Sequence, residues 1–469
     1  MGIPPKKIVN KILFCGIIVI ASKNKTTTER GFVHMAIIPQ LRLFSWENDI
    51  EILGDLERLI LVVETMPDEE LMHRLEKKRG NGRDDFPVRA MWNSIISGIV
   101  FQHASIESMM RELRRNAQLR RVCGFETNKM PKAHNYSRFL DNLMGEQALL
   151  DKIFSDLVEE LSKALPGFGN RLAMDSKLID SFAQRKNKNQ EEDGRRDTDA
   201  DIGIKRYYGT NEDGTAWEKI VKCFGYKLHL IVDAMYELPV AYEVTKASAS
   251  DVVEGHKLLD KLKARNEEII EACEYLTADK GYDDTKLIEK LRGEGFGIKA
   301  VIDTRQMWRD EKERQIPGYE NAYYDESGNV YCYCPASGTR RTMTCNGYES
   351  ARECIRKQCP VKAYGGCCEG MDSCSCRSGI RIPLSLNPRV FTEVDRSSYK
   401  WDREYKRRTA VERVNSRLDV SFGFENHTIR GLKKMRLRSS LALMVMLAMA
   451  LGRIRQKKPE LMRSLVRCA

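Results

Sequence analysis

Three acids, Asp175, Asp279 and Glu412, stand in contexts that suit a carboxylate site. Asp175 follows the apolar run Arg171-Leu-Ala-Met and Asp279 follows Tyr275-Leu-Thr-Ala, so each reads as the end of a short buried strand. Glu412 belongs to a segment in which Tyr405, Arg408, Glu412 and Asp419 follow one another at spacings of 3, 4 and 7 residues. At 100° per residue those four fall within about 60° of arc on one helix face. Val411, Val414 and Leu418 form the neighbouring apolar stripe, which puts Glu412 at the border between core and cleft. Acids converging from a sheet and a helix suit hard divalent cations such as magnesium or manganese. The chemistry they would serve is phosphoryl transfer, in which cations about 3.5–4 Å apart activate the attacking oxygen and stabilise the leaving one. Taken singly, either aspartate reads as a capping or surface residue, and an exposed helix with solvated charges also accounts for residues 405–419.

A second constellation is made of thiols. Of fourteen cysteines, nine crowd between Cys332 and Cys376. They include Cys332 and Cys334, Cys354 and Cys359, Cys367 and Cys368, and Cys374 and Cys376. Structural zinc takes four such ligands, often from paired cysteines, and gives folding energy to a small segment with little core. The spacings match no standard finger, and buried or free thiols are the alternative. His229 follows a strand pattern and reads as a packed residue rather than a ligand.

The elements that must position these residues are legible in the periodicity. From Trp46 to about Phe139 apolar residues recur at helical spacing, and residues 35–165 read as an all-α domain. Strands are expected at 171–175, 226–233, 238–245, 275–279 and 299–303, with helices from Asp251 to about Lys263 and on through Leu291. Together they make a mixed sheet flanked by helices, an α/β core whose first part is 166–305. Residues 184–215 read as a polar loop. Residues 306–390 read as a Cys-rich insertion. Residues 391–454 return to the core with one helix over Asp402–Leu418 and another over Leu437–Ile454, before a basic tail at 455–469.

Charge points to a polyanionic partner. The net charge is +11, and residues 396–469 hold 19 Lys or Arg against 6 Asp or Glu, a net of +13, so everything before them sums to −2. Ile12 to Ala21 and Leu441 to Leu451 are the most apolar runs and fall short of the roughly 20 residues a membrane span needs, so no membrane partner is expected. Residues 1–34 read as a disordered or non-native leader ahead of Met35.

Several ordered motifs now point the same way. The segment Tyr405-Lys-Arg-Arg408-Thr-Ala-Val-Glu412 resembles the Tyr, Arg, Glu signature of the DDE transposases of bacterial insertion sequences. Met174-Asp175-Ser-Lys resembles the block around that family's first aspartate, Gly225-Tyr-Lys227-Leu-His229 its following strand, and Ala278-Asp279-Lys-Gly-Tyr282 the block around its second. Pro131 to Phe139 and the helices before it resemble the family's N-terminal domain. The resemblance implies an RNase H-like catalytic core and a helical DNA-binding domain. It implies metal-dependent DNA cleavage followed by 3′-hydroxyl strand transfer, with magnesium or manganese on Asp175, Asp279 and Glu412. Tyr405, Arg408, Arg413, Arg417 and Lys227 become candidates for DNA contact. A homodimer on double-stranded DNA, in a bacterial cytoplasm, is the expected setting. One position departs: the family has a lysine seven residues after the glutamate, and this chain has Asp419. A related endonuclease without strand transfer, or a degenerate DNA-binding regulator, are the rival readings.

Overall fold

A computed structural model describes residues 54–464 except 80–85, 126–129, 184–196, 212 and 311. The leader at 1–34, the start of the expected helical domain and the end of the basic tail lie outside the described residues. The helical region opens with α1 (Leu56–Thr65), α2 (Glu69–Arg79) and α3 (Val88–Val100). It continues through α4 (Ile106–Arg115), α5 (Ala117–Cys123), α6 (Ala133–Met144) and α7 (Gln147–Ala164). Every residue of α3 is buried, as its almost unbroken apolar sequence requires, and it pays for its one charge with a buried partner: Arg89 is paired with Asp68, which also accepts from Trp92 Nε1 at 2.5 Å.

The sheet that follows contains β1 (Arg171–Asp180), β2 (Asp201–Thr210), β3 (Ala216–Asp233), β4 (Leu238–Lys246), β5 (Tyr275–Ala278) and β6 (Lys299–Ile302). Its order is β2-β3-β1-β5-β6, with β4 also on β3. The register explains the branching. The first half of β3 pairs with β2, and its second half lies between β1 and β4. All these contacts are antiparallel, whereas β1–β5 and β5–β6 are parallel and are joined by helices α8 (Asp251–Arg265), α9 (Glu267–Ala272) and α10 (Thr285–Arg292). The expected polar loop at 184–215 therefore includes a strand. Because β2 pairs only with β3 and Trp217, Ile220 and Val221 of that half of β3 stay exposed, the usual alternation of buried and exposed positions is missing.

Beyond β6 the chain forms two small sheets. One holds β7 (Arg314–Gln315), β8 (Ala322–Tyr324), β9 (Val330–Tyr333) and β10 (Arg340–Thr342). The other holds β11 (Thr344–Glu349), β12 (Cys354–Gln358) and, after helix α11 (Pro360–Tyr364), β13 (Ile380–Pro383). They share their own apolar cluster around Val330, Ile355, Ile382 and Phe391.

The chain then returns as α12 (Tyr399–Tyr405), a 3₁₀ turn over Lys406–Arg408, α13 (Thr409–Phe422) and α14 (Leu432–Arg455). The single helix expected over Asp402–Leu418 is thus two, because the turn at 406–408 interrupts the α-helical hydrogen bonding. The last helix starts earlier than its apolar run and is long and apolar enough, by length and composition, to cross a membrane. In the fold 89% of its apolar window is buried. It packs against α1, α7 and β4, and one apolar core runs from the helical region through α14 into the sheet.

Candidate active site

Asp175 does not end β1: the strand runs on to Asp180, still paired with β3. What ends at Asp175 is the parallel pairing. Its last pair is Met174 with Ala278, so Asp175 and Asp279 are the next residues on two adjacent strands. In-register neighbours on parallel strands project to the same face, at a strand spacing of about 4.8 Å. The Asp279 carboxylate is held by the turn behind it: Gly281 N donates to its Oδ1 at 2.7 Å, and a Cβ at Gly281 would lie 2.7 Å from that oxygen and push the carboxylate aside. Ser176 N donates to Asp175 Oδ1 at 2.7 Å.

Glu412 arrives from α13, which buries Val411, Val414 and Leu418 and packs on β1 and β3. Its side chain is 53% exposed, on the flank of that apolar stripe. Arg408 links helix and sheet: Nη2 is 3.0 Å from Glu412 Oε1 and Nη1 is 3.9 Å from Asp175 Oδ2. Burial works against the Arg408 charge, but Glu412, Tyr405, Asp175 and Asp279 outweigh it and hold the guanidinium above its ordinary pKa. Tyr405 stacks on Trp401 with ring centroids 4.5 Å apart, and burial, then Asp303, raises its phenol. The three acids thus surround one guanidinium. As the side chains stand, no group of three or more His, Cys, Asp or Glu among the described residues is close enough together to hold a metal ion.

The other candidates for DNA contact are placed differently. Lys227 is buried, with Nζ 2.8 Å from Ala249 O and 3.1 Å from Asp251 Oδ1. Strand alternation sets it with Ser176 and His229 on the face opposite Asp175. His229 Nε2 lies 2.9 Å from Thr245 Oγ1, and burial lowers its pKa to about 4, which suits the packed role expected for it. Arg413 and Arg417 both bind Glu237, Arg413 through Oε1 at 2.8 Å and Arg417 through the backbone carbonyl, so they tie α13 to the turn after β3. Asp419, the charge-reversed position, is met by Lys177: Nζ is 2.7 Å from Asp419 Oδ2 and 2.5 Å from Glu425 Oε1. Lys177 shares the face of Asp175 two residues on. Sequence reasoning did not single out Lys177, nor Tyr282, which is buried beside Asp251, Asp175 and Asp279 and whose hydroxyl is raised well above its ordinary pKa by burial and then by those acids. The Gly281-Tyr282 pair, one residue beyond Asp279, was the available signal for Tyr282.

Of the eight cysteines considered as zinc ligands, the fold gathers Cys332, Cys334, Cys359, Cys368, Cys374 and Cys376. Cys354 faces Glu349 instead, and Cys367 is exposed.

Comparison with known proteins gives the family. Residues 169–448 match the family model described as a transposase DDE domain, a span that includes all three acids, and residues 46–142 match a second described as a transposase domain. The chain belongs to the DDE transposase family and is a transposase, an enzyme that acts on DNA. No curated protein matches it. Among solved structures it is similar to a piggyBac transposase in a synaptic complex with hairpin DNA, at 13% identity and a TM-score of 0.28 over 88% of this chain and 83% of that one.

Proposed function

We propose that this chain is an insertion-sequence transposase of the Tyr, Arg, Glu group that cuts DNA at the ends of its element and joins the freed 3′-hydroxyl to target DNA at a site made by Asp175, Asp279 and Glu412. The observation that carries this reading is the register: Met174 pairs with Ala278, so the next residue on each strand is an acid, and Arg408 brings Glu412 to the first of them. The sheet supports an RNase H-like core, because β4-β3-β1 is an antiparallel meander to which β5 and β6 add in parallel through helices. The segment 306–390 is then a Cys-rich insertion ahead of the third acid, and the helical region before residue 165 a DNA-binding domain.

The donor set fits magnesium or manganese. It is made of carboxylate oxygens, and the half-exposed Glu412 has room to turn toward the two aspartates. When bound, such cations supply activation of the attacking oxygen and charge stabilisation at the leaving one. The chain's own residues do the rest. Arg408 sits among the acids, where it also reaches a phosphate at the scissile bond, and Tyr405, held by Trp401, lies against it. Tyr282 is buried beside Asp175 and Asp279. Lys177 pairs with Asp419 while also meeting Glu425, so the reversed charge has a cation partner within the fold. Pairing of two DNA ends implies a dimer on double-stranded DNA.

The test uses a labelled duplex carrying the element's own end together with a target plasmid. Magnesium or manganese should give cleavage and joined product, and calcium, with its looser coordination, should stall the reaction. Cleavage without joining would favour the endonuclease reading, binding without cleavage the regulator, and equal cleavage in chelator would overturn the mechanism.

A further inference from the structure

The small two-sheet body concentrates its thiols at one point. Cys334 Sγ and Cys368 Sγ are 3.5 Å apart. Tetrahedral zinc with Zn–S bonds of about 2.3 Å sets its sulfurs roughly 3.8 Å apart, so this pair already stands near ligand spacing. Cys359, Cys374 and Cys368 lie near Cys332.

The loops that carry the pair are shaped around sulfur. Cys334-Pro-Ala-Ser-Gly338 is a tight turn in which Gly338 N donates to Cys334 O at 2.8 Å. Gly370 lets the two loops approach closely, since a Cβ there would lie 2.8 Å from Ala336 N and 2.9 Å from Pro335 Cδ. Asn321 Nδ2 donates to Cys374 Sγ at 3.1 Å. Cys376, by contrast, is fully buried and donates its own S–H to Asn321 Oδ1 at 3.5 Å, and Cys332 belongs to the apolar cluster.

We propose that Cys334, Cys359, Cys368 and Cys374 bind one structural zinc ion that fastens the two small sheets together. The thiols do not form a closed group as they stand; binding draws Cys359 and Cys374 onto the Cys334–Cys368 pair and releases the protons of the thiols it engages. The gain is greatest for this body because its apolar cluster is small and broken by turns. The proposal does not depend on the DNA chemistry, and none of its readouts involves DNA.

The experiment is elemental analysis of the full chain purified under reduction without chelator, expected to show close to one zinc per chain. Cys334→Ser and Cys368→Ser should each lose it, while Cys345→Ser, outside the group, should keep it. On the unaltered protein, maleimide labelling of Cys334 and Cys368 should be suppressed until zinc is removed and suppressed again on adding zinc alone, which keeps the test sound if a serine variant fails to fold. No zinc in reduced protein, zinc retained in both serine variants, labelling indifferent to zinc, or a Cys334–Cys368 disulfide would each overturn it.

Discussion

The large body and the small body of this chain are held by different means. In the large one a single apolar core extends from α1 through α14 to the sheet, and α14 is buried nearly all round. In the small one the apolar cluster is modest and is helped by buried charge: within it Lys357 Nζ is 2.6 Å from Asp395 Oδ2 with both side chains buried, and Arg389 Nη1, 2.6 Å from Asp283 Oδ2, ties it to the large body. An apolar core tolerates local change because its contacts are many and individually weak. A buried ion pair does not, because removing one partner strands the other charge out of water. The difference teaches where each body should fail. The site carboxylates sit on the body with the continuous core, which suits groups that must hold their positions.

The largest effect that would sharpen this contrast is expected at Lys357. Lys357→Met leaves Asp395 without its cation and should cost about 3–5 kcal/mol, appearing as protease sensitivity confined to residues 306–397 while the large body stays protected. Adding Asp395→Leu should recover much of the loss, since an apolar pair can replace a buried ion pair. Uniform destabilisation, or no recovery in the double variant, would break the contrast.

Acid should act on the other body, by a smaller amount per pH unit. Of seven histidines none lies between residues 306 and 397, and burial holds both His229 and His427, in the large body, at pKa values of about 4. An unfolded histidine titrates near 6.5. Between about pH 6.5 and 4 the unfolded chain therefore binds protons that the folded chain refuses, and stability falls as pH falls. Each buried imidazole contributes at most about 1.4 kcal/mol per pH unit over that window. His427→Asn should flatten the slope of denaturant midpoint against pH, and an unchanged slope would remove that residue from the account.

How much of this was legible in the sequence depends on the range of the interaction concerned. Helices with one clear burial period, such as α8, were readable. Three features were not, each for a physical reason. The strand β2 pairs with one neighbour at the end of the sheet, and its text, Asp201-Ile-Gly-Ile-Lys-Arg-Tyr-Tyr-Gly-Thr, does not alternate apolar with polar residues. The break at Lys406–Arg408 has neither Gly nor Pro to mark it. The partners of Lys227, Arg413, Arg417 and Asp419 are set by tertiary contact, and only the fold shows that Lys227, Arg413 and Arg417 have their charges met by Asp251 and Glu237 and that Asp419 is matched by Lys177. The convergence of Asp175 with Asp279 depends on strand register, which one sequence does not display.

The most direct measurement compares Glu412→Gln with Arg408→Ala for cleavage and for DNA affinity across salt. Glu412→Gln keeps size and hydrogen-bonding capacity but removes the charge a cation needs, so cleavage should fall below detection with affinity nearly unchanged or slightly raised. Arg408→Ala should weaken binding similarly on all sequences and lower the salt slope by about 1. Cleavage surviving in Glu412→Gln would move the third acid elsewhere, and equal loss of binding in both variants would show that α13 is scaffold rather than site.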